Sequence, residues 1–316
     1  MKKTTLLLVV AALVVVALIA ARFYVTDADF RLTNPSWNGL SSMGRDVQPL
    51  YDISSLADAG NGDTLMIIGP ATNYTPDESS RVARFLYGGG RVVVMDDFGK
   101  ADSLLTGIGS PITIDPVPMC QYENYYINQS FPAITDIASS PFTMNVSRLV
   151  LNHPAVLKVQ GNADIIASTS SDAWLDHNDN ARLDADERTG TYPVVARYTM
   201  GKGELIVVSD ADLFINGMLD KGDNGVFLKG LSRGTVLVDV SHGSPVSPMG
   251  VVFYSLKYDI VAQLAVILLI MAACIAYMGR DMLVPLMARL GRSIKNLILM
   301  KFTVKGKDIK ESDKKL

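Results

Sequence analysis

The stretch that decides the fold is TPDESSRVARFLYGGGRVVVMDDFG, residues 75–99. Thr75 is followed by a proline and, three residues later, by Glu78, which is the pattern of a helix N-terminal capping box. The apolar residues that come next recur at helical spacing, and a run of glycines then ends the helix. The apolar run Val92–Met95 lies between those glycines and an acidic turn. It predicts a short strand that is buried on both faces, as in a parallel sheet.

Other apolar runs extend this unit into a sheet. Thr64–Ile68 lies before the predicted helix, so strand, helix and strand follow one another at the spacing of a βαβ unit with parallel strands. Pro193–Tyr198 and Glu204–Ser209 flank a glycine-containing turn and are predicted to form a hairpin. Thr235–Asp239 is predicted to be the last strand, after a helix at Asn224–Leu231. The chain therefore predicts an α/β fold with a mostly parallel sheet.

Two uncharged runs stand outside this domain. Thr4–Ala21 has 18 residues and Ile260–Met278 has 19, and at 1.5 Å per residue each could cross a hydrocarbon core of about 30 Å. The first run follows Lys2 and Lys3 and is longer than the core of a secretory signal, so an uncleaved anchor is favoured and a cleaved signal stays open. Both runs are predicted to be transmembrane helices that flank the α/β domain.

The charge distribution predicts an orientation in the cell membrane. Residues 22–257 carry 17 Lys and Arg against 27 Asp and Glu, a net charge of −10, whereas residues 280–316 carry ten against four. Basic residues favour the cytoplasmic side, so both termini are predicted to be cytoplasmic and the acidic domain to lie outside. An acidic domain argues against a nucleic-acid partner and suits cations. The predicted parts are a cytoplasmic start (1–3), a transmembrane anchor (4–24), an extracytoplasmic α/β domain (27–243), a linker (244–257), a transmembrane helix (258–279) and a basic cytoplasmic tail (280–316).

The segment DHNDNARLDADE, residues 176–187, resembles the calcium-binding pattern D-x-[DN]-x-[DN]-G-x5-E. Oxygen donors at alternating positions around a turn suit Ca²⁺. Ala181 stands where the pattern has glycine, a departure that costs about 1 kcal/mol in the left-handed conformation. The flanking residues are strand-like, so a structural calcium loop is favoured over a sensor, and a solvated turn without tight binding stays open. The predicted ligands are Asp176, Asn178, Asn180, the backbone carbonyl of Arg182, Asp184 and Glu187.

A second acidic group follows two of the predicted strands. Asp96 and Asp97 come directly after one strand, and Asp210 and Asp212 come after another. In open α/β sheets, ligands bind just beyond the carboxyl ends of the strands, so these four side chains are predicted to line a ligand crevice. They could hold a divalent metal for hydrolysis. Alternatively, each carboxylate caps the helix that follows it.

Several short runs match one family when they are taken in their order along the chain. They are Asn34–Gly39, Ile68–Pro70, Gly89-Gly90 with Asp96–Gly99, Leu175-Asp176 with the acidic loop to Glu187, and Ser209-Asp210 with Phe214–Asn216 and Asp223-Asn224. Together they resemble the prokaryotic membrane proteins known as domain of unknown function 4350, over about residues 27–242. The resemblance implies a flavodoxin-like, class I glutamine-amidotransferase-like fold. More distantly, the chain resembles auxiliary domains of ABC-type transport and gliding systems.

The residues that amidotransferase chemistry would need are missing. Such an enzyme uses a cysteine nucleophile on the turn after its central strand, with a histidine as base. Here that turn is Asp96–Gly99, and Cys120 comes more than 20 residues later. Where the family tends to end in an Asp-Glu…His-His run, this chain has Asp239 and His242 but lacks one acid and one histidine. No catalytic residue is therefore predicted, and the chain is expected not to be an enzyme.

Three hypotheses about function follow. The first is a membrane-anchored, non-catalytic binding or assembly domain with a calcium loop, which works at the lipid bilayer with membrane or cell-surface partners. The second is a metal-dependent surface hydrolase that uses the strand-end aspartates. The third, which rests on the distant resemblance alone, is an auxiliary subunit of an ABC-type transport system with an ATPase partner.

Overall fold

The computed structural model describes residues 28–44, 47–244 and 248–269, with a few isolated positions nearer the two ends of the chain. The chain divides into two units, residues 25–247 and a second unit made of residues 1–24 and 248–316. The strands of the first unit are β1 (Val47–Leu50), β2 (Thr64–Ile68), β3 (Arg91–Met95), β4 (Ile112–Asp115), β5 (Met119–Gln121), β6 (Ala133–Ile134), β7 (Asp136–Ile137), β8 (Leu149–Val150), β9 (Val156–Val159), β10 (Asp164–Ser168), β11 (Ala173–Leu175), β12 (Thr189–Gly190), β13 (Pro193–Met200), β14 (Gly203–Val208) and β15 (Val236–Asp239). Its α-helices are α1 (Pro76–Gly88), α2 (Ala101–Gly107) and α3 (Asn224–Leu231), and short 3₁₀ helices span Ser41–Met43, Ile53–Asp58 and Asp212–Phe214.

The first unit is built on an eight-stranded mixed sheet in the order β1-β15-β2-β3-β14-β13-β10-β7. The first five strands run parallel to one another, and the last three pair in antiparallel fashion. The α/β class and the large sheet are thus as predicted, and β13 with β14 forms the predicted hairpin.

The stretch from β2 to β3 forms the predicted βαβ unit. The Thr75 hydroxyl accepts the amide of Glu78, and the Glu78 carboxylate accepts the amide of Thr75 at 2.7 Å, so the capping box is complete. Gly89 ends the helix with φ of 115°, a conformation that glycine adopts without strain. The chain then turns directly into β3, which pairs with β2 in parallel register.

Helices cover both faces of the sheet, which explains why its central strands are apolar throughout. Side chains alternate along β2 and β3, so Met66 and Val93 face one core and Leu65 and Val92 face the other. Helix α3 packs in the first of these cores, and α1 and α2 pack in the second. Because the five strands are parallel, all their carboxyl ends meet at one edge of the sheet.

The prediction that two transmembrane helices flank this fold is wrong. No helix among the described residues is both long and apolar enough to cross a membrane. In the second unit, helix α4 (Pro248–Tyr258) ends before the uncharged run Ile260–Met278. The described residues 260–269 of that run are helical, about 15 Å at 1.5 Å per residue, and follow Asp259, whose carboxylate accepts the amides of Val261 and Ala262. Most of the run 4–21, residues 273–279 and the basic tail 280–316 lie outside the described residues.

Candidate functional site

The predicted strand-end aspartates lie side by side at the carboxyl edge of the sheet. Strands β3 and β14 are parallel neighbours, with Met95 opposite Val208, so the turns that follow them are adjacent. The amide of Asp96 donates to the carbonyl of Val208 at 3.1 Å, which joins the start of one turn to the end of the neighbouring strand.

Asp96 holds its own turn together. Its side chain is 2% exposed, and its carboxylate accepts the amides of Asp97, Gly99 and Ala101 at 2.8 to 3.0 Å. Gly99 allows this contact, since a Cβ there would lie 2.3 Å from the Asp96 carboxylate. Burial raises the pKa of Asp96 to about 6 even though three amides favour its charged form. For this residue the structure supports the capping hypothesis.

Asp210 and Asp212 share one neighbour, Asn152, which follows β8. Asp210 is fully buried and accepts the amides of Asp212 at 2.7 Å and of Asn152 at 2.8 Å. The Asp212 carboxylate accepts the side-chain amide of Asn152 at 2.6 Å. Asn152 was not predicted as a site residue, although it lies in a polar turn between two apolar runs of the sequence.

Burial raises the pKa values of these acids, and crowding adds to the effect at Asp210 and Asp212. Burial raises the pKa of Asp212 to about 7, and the negative charges of Asp97 and Asp29 add to the effect. Burial and the charges of Asp212 and Asp97 also hold the pKa of Asp210 well above its ordinary range. Burial raises the pKa of Asp97 as well. Near neutral pH the Asp212 carboxyl is therefore only partly ionised, so the crevice is less negative than its residues suggest.

The loop 176–187 closes around Asp176, whose side chain is 1% exposed. Its carboxylate accepts the amides of Asn180 at 3.1 Å and Ala181 at 2.6 Å. Ala181 has φ of 55°, so alanine adopts the left-handed conformation for which the calcium pattern uses glycine. At the other end, Glu187 accepts the amides of His177 at 2.9 Å and Asp184 at 3.0 Å. The loop thus has the tight closed turn that the pattern predicts.

Three predicted ligands meet at one point of this loop. The side-chain amides of Asn178 and Asn180 both donate to the Asp184 carboxylate, at 2.7 and 2.8 Å, and these bonds lower the pKa of Asp184. The amide of Arg182 donates to Asn180 at 2.7 Å. Within the described ranges, no three His, Cys, Asp or Glu side chains are grouped so that they could hold a metal ion by themselves. Any cation in this loop would therefore also need the asparagine and backbone oxygens.

His153 connects the loop to the strand-end crevice. Its Nε2 lies 3.0 Å from the Asp179 carboxylate of the loop, and its ring packs 5.4 Å from that of Phe98. Its charge also acts on Asp97 and Asp212. From the sequence, the loop and the crevice were predicted as separate sites. The structure places both groups of residues along one edge.

A third polar cluster at this edge was missed. The His242 ring stacks on Tyr74 at 3.7 Å, its Nδ1 lies 2.8 Å from Asp239, and its Nε2 lies 3.5 Å from Glu78. Burial alone would lower the pKa of His242, but the hydrogen bond and charge of Asp239, together with Glu78, raise it. The spacing of Asp239 and His242 was noted in the sequence, but their partners come from residues more than 160 positions away. Since Nδ1 and Nε2 both face carboxylates, the cluster ties the end of β15 to the start of α1.

Comparison with known proteins supports the family. The family model described as Domain of unknown function (DUF4350) matches residues 34–231, more than half of the chain, which is sufficient to assign the chain to that family. No curated protein sequence matches the chain closely enough to count as a relative. The implied amidotransferase-like fold stays a prediction.

Similar solved structures resemble the chain only loosely. The mmIFT52 N-terminal domain has a TM-score of 0.44 and 19% identity over 57% of this chain and 78% of that one. Cytoplasmic protein STM1381 from Salmonella typhimurium LT2 has a TM-score of 0.38 and 13% identity over 68% and 86% of the two chains. A β-galactosidase from Bacillus circulans sp. alkalophilus has a TM-score of 0.31 and 16% identity over 54% and 21%. Likenesses with TM-scores below 0.5 carry no argument about fold or function.

Proposed function

We propose that this chain, which belongs to the DUF4350 family, is a non-catalytic binding domain whose Asp176–Glu187 loop takes up Ca²⁺ beside a carboxylate-lined crevice. The observation that carries the proposal is the conformation of the loop. Ala181 adopts the positive φ of a calcium loop, and Asp176 accepts the amides that close such a turn. The donor set is rich in hard oxygen atoms, which is the chemistry that Ca²⁺ prefers.

The residues of the loop could hold the ion with small changes. Rotation of the Asn178 and Asn180 side-chain amides would turn their oxygens toward the point where Asp184 now accepts two hydrogen bonds. Asp176 and Glu187 keep further lone pairs on the carboxylates that accept backbone amides, and the carbonyl of Arg182 completes the predicted set. When bound, the ion would stabilise the loop, which is otherwise held mainly by its own hydrogen bonds.

The crevice argues for binding rather than catalysis. The Asp96 carboxylate is engaged by three backbone amides and the Asp210 carboxylate by two, so these acids stabilise turns. The clustering of Asp97 with Asp212 is the one observation that favours a hydrolase as the second candidate. Asp97→Asn separates the two. Loss of a measured hydrolysis with an unchanged melting temperature would support the hydrolase.

The accessible residues of this edge offer a surface to a partner. Phe98 is 42% exposed, and the side chains of His153 and Asp179 are 40% and 68% exposed. We propose that a partner protein, either a membrane protein or an ATPase, contacts these three residues. A location outside the cell is part of the same proposal. Calcium loops of extracellular modules have dissociation constants for Ca²⁺ of about 10⁻⁴–10⁻³ M, and we expect a value in this range.

Calcium titration of the full chain tests the proposal. At ten times its dissociation constant, Ca²⁺ should stabilise the fold by about 1.4 kcal/mol, seen as heat in calorimetry and as a higher melting temperature. Glu187→Gln and Asp184→Asn should lose both signals. Asp186→Asn is the matched control, because it removes one charge from the same loop at a position outside the predicted ligand set. Equal losses in all three variants, or no calcium response in the wild type, would contradict the calcium site.

A further inference from the structure

A groove lies at the β1 edge of the large sheet, the edge opposite the antiparallel strands. It runs between β1, β15 and helix α3. It encloses about 700 Å³, within the usual 300–1,000 Å³ of small-molecule sites. It shares no lining residue with the crevice or the calcium-like loop. Its apolar side chains come from Met43, Val47, Leu219, Val226, Leu228 and Val236.

The floor of the groove is apolar and set by the sheet. Val47 and Val236 are opposite each other in the parallel pairing of β1 with β15, so their side chains share one face. Val236 and Leu228 are each only 7% exposed, while Val226 is 39% exposed at the rim. An alkyl chain laid along these residues would remove apolar surface from water, at about 25 cal/mol per Å².

Helix α3 keeps the groove open and supplies its charge. Gly225, Lys229 and Ser232 lie at i, i+4 and i+7 on the groove side of the helix. Gly225 and Ser232 are small, so they leave room where larger residues would fill the space. Lys229 is the only charged side chain among the described residues that line the groove, and no described residue forms an ion pair with it.

We propose that this groove binds a single-chain amphiphile with an anionic headgroup, the chemical class of fatty acids. The alkyl chain lies on the valine and leucine floor, and the carboxylate pairs with the Lys229 ammonium at the rim. A peptide that adds a strand to β1 fits less well, because Pro49 of this edge strand has no amide hydrogen to donate.

Dodecanoate, used below its micelle concentration with the full chain, tests the proposal by calorimetry. We expect saturable binding that dodecyltrimethylammonium, a cation of equal chain length, does not reproduce. Lys229→Gln should weaken dodecanoate binding about three- to fivefold, the size of an exposed ion pair. Val226→Glu should weaken it about tenfold or more, because it places a carboxylate in the path of the alkyl chain.

Matched variants separate the groove from unspecific binding to other apolar parts of the chain. Ile165→Glu adds the same charge at an exposed position of β10, and Lys202→Gln removes a lysine elsewhere. Both should leave the dissociation constant unchanged, and melting curves check that every variant folds. Equal affinity for the cationic amphiphile, or an unchanged affinity in Val226→Glu, would overturn the proposal.

Discussion

Asp96 at the strand ends and Asp184 in the loop both accept several hydrogen bonds, yet their pKa values shift in opposite directions. Asp96 is 2% exposed, and burial raises its pKa to about 6. Asp184 lies in the open loop, where the amides of Asn178 and Asn180 lower its pKa. For these two residues, desolvation rather than the number of donors decides the direction of the pKa shift.

As the pH rises, the stability contributed by the strand-end acids therefore falls, whereas that contributed by Asp184 rises. A carboxyl group whose folded pKa is raised gives stability that is present below its ordinary pKa and is lost as the pH rises through the folded value. That is the case of Asp96 and Asp212. A carboxyl group whose folded pKa is lowered gives stability above its ordinary value that is lost in acid, as for Asp184.

Asp96→Ala is the strongest test of this difference. It leaves the amides of Asp97, Gly99 and Ala101 without their acceptor, at about 1 kcal/mol each, so we expect the free energy of unfolding to fall by about 3 kcal/mol. Asp184→Ala removes the acceptor of two solvent-accessible side-chain amides and should cost a small fraction of that. Urea unfolding at pH 5, below the folded pKa of Asp96, measures both. Similar losses in the two variants would show that burial does not separate the regions.

Local patterns allowed much of the fold to be predicted. The capping box at Thr75, the glycine end of α1 and the apolar run of β3 are short-range signals, and the structure has each of them at its predicted place. Asp96 and Asp210 could be placed at strand ends because each follows directly after an apolar run. That β3 and β14 are neighbours, which brings these acids together, was only a hypothesis from the sequence.

Contacts between distant segments could not be predicted. Asn152 and His153 belong to a turn with no pattern of its own, and their roles come from Asp210, Asp212 and Asp179, which lie 26 to 60 residues away in the sequence. The membrane helices were predicted from hydropathy alone, which measures apolar length but not where a helix stops. In the second unit, residues 260–269 are the described helical part of the run Ile260–Met278, and Asp259 separates them from α4.

Asp212→Asn tests the pH side of the comparison. Asparagine keeps an oxygen for the Asn152 amide but carries no charge among Asp210, Asp97 and Asp29, so the variant should gain stability over the wild type as the pH rises. We expect little difference near pH 4 and a gain on the order of 4 kcal/mol at pH 8. Because His242 also loses stabilising charge as the pH rises, the quantity to compare is variant minus wild type. Asp184→Asn is the control, and a gain at pH 8 in that variant would contradict the assignment.

His153→Gly should change the free energy of unfolding least of these variants. His153 contacts the loop through Asp179, and its charge acts on the crevice. Glycine relieves the left-handed backbone (φ of 51°), worth about 1 kcal/mol, and this offsets the loss of the exposed contact with Asp179. Overall stability should therefore change by less than about 0.5 kcal/mol. The imidazole charge lowers the pKa of Asp212, so its removal should make stability fall more steeply between pH 5 and pH 7. Asn145→Gly relieves the same backbone conformation (φ of 63°) and should leave that slope unchanged. Equal slopes in urea unfolding of the wild type and His153→Gly would show that His153 does not couple the two regions.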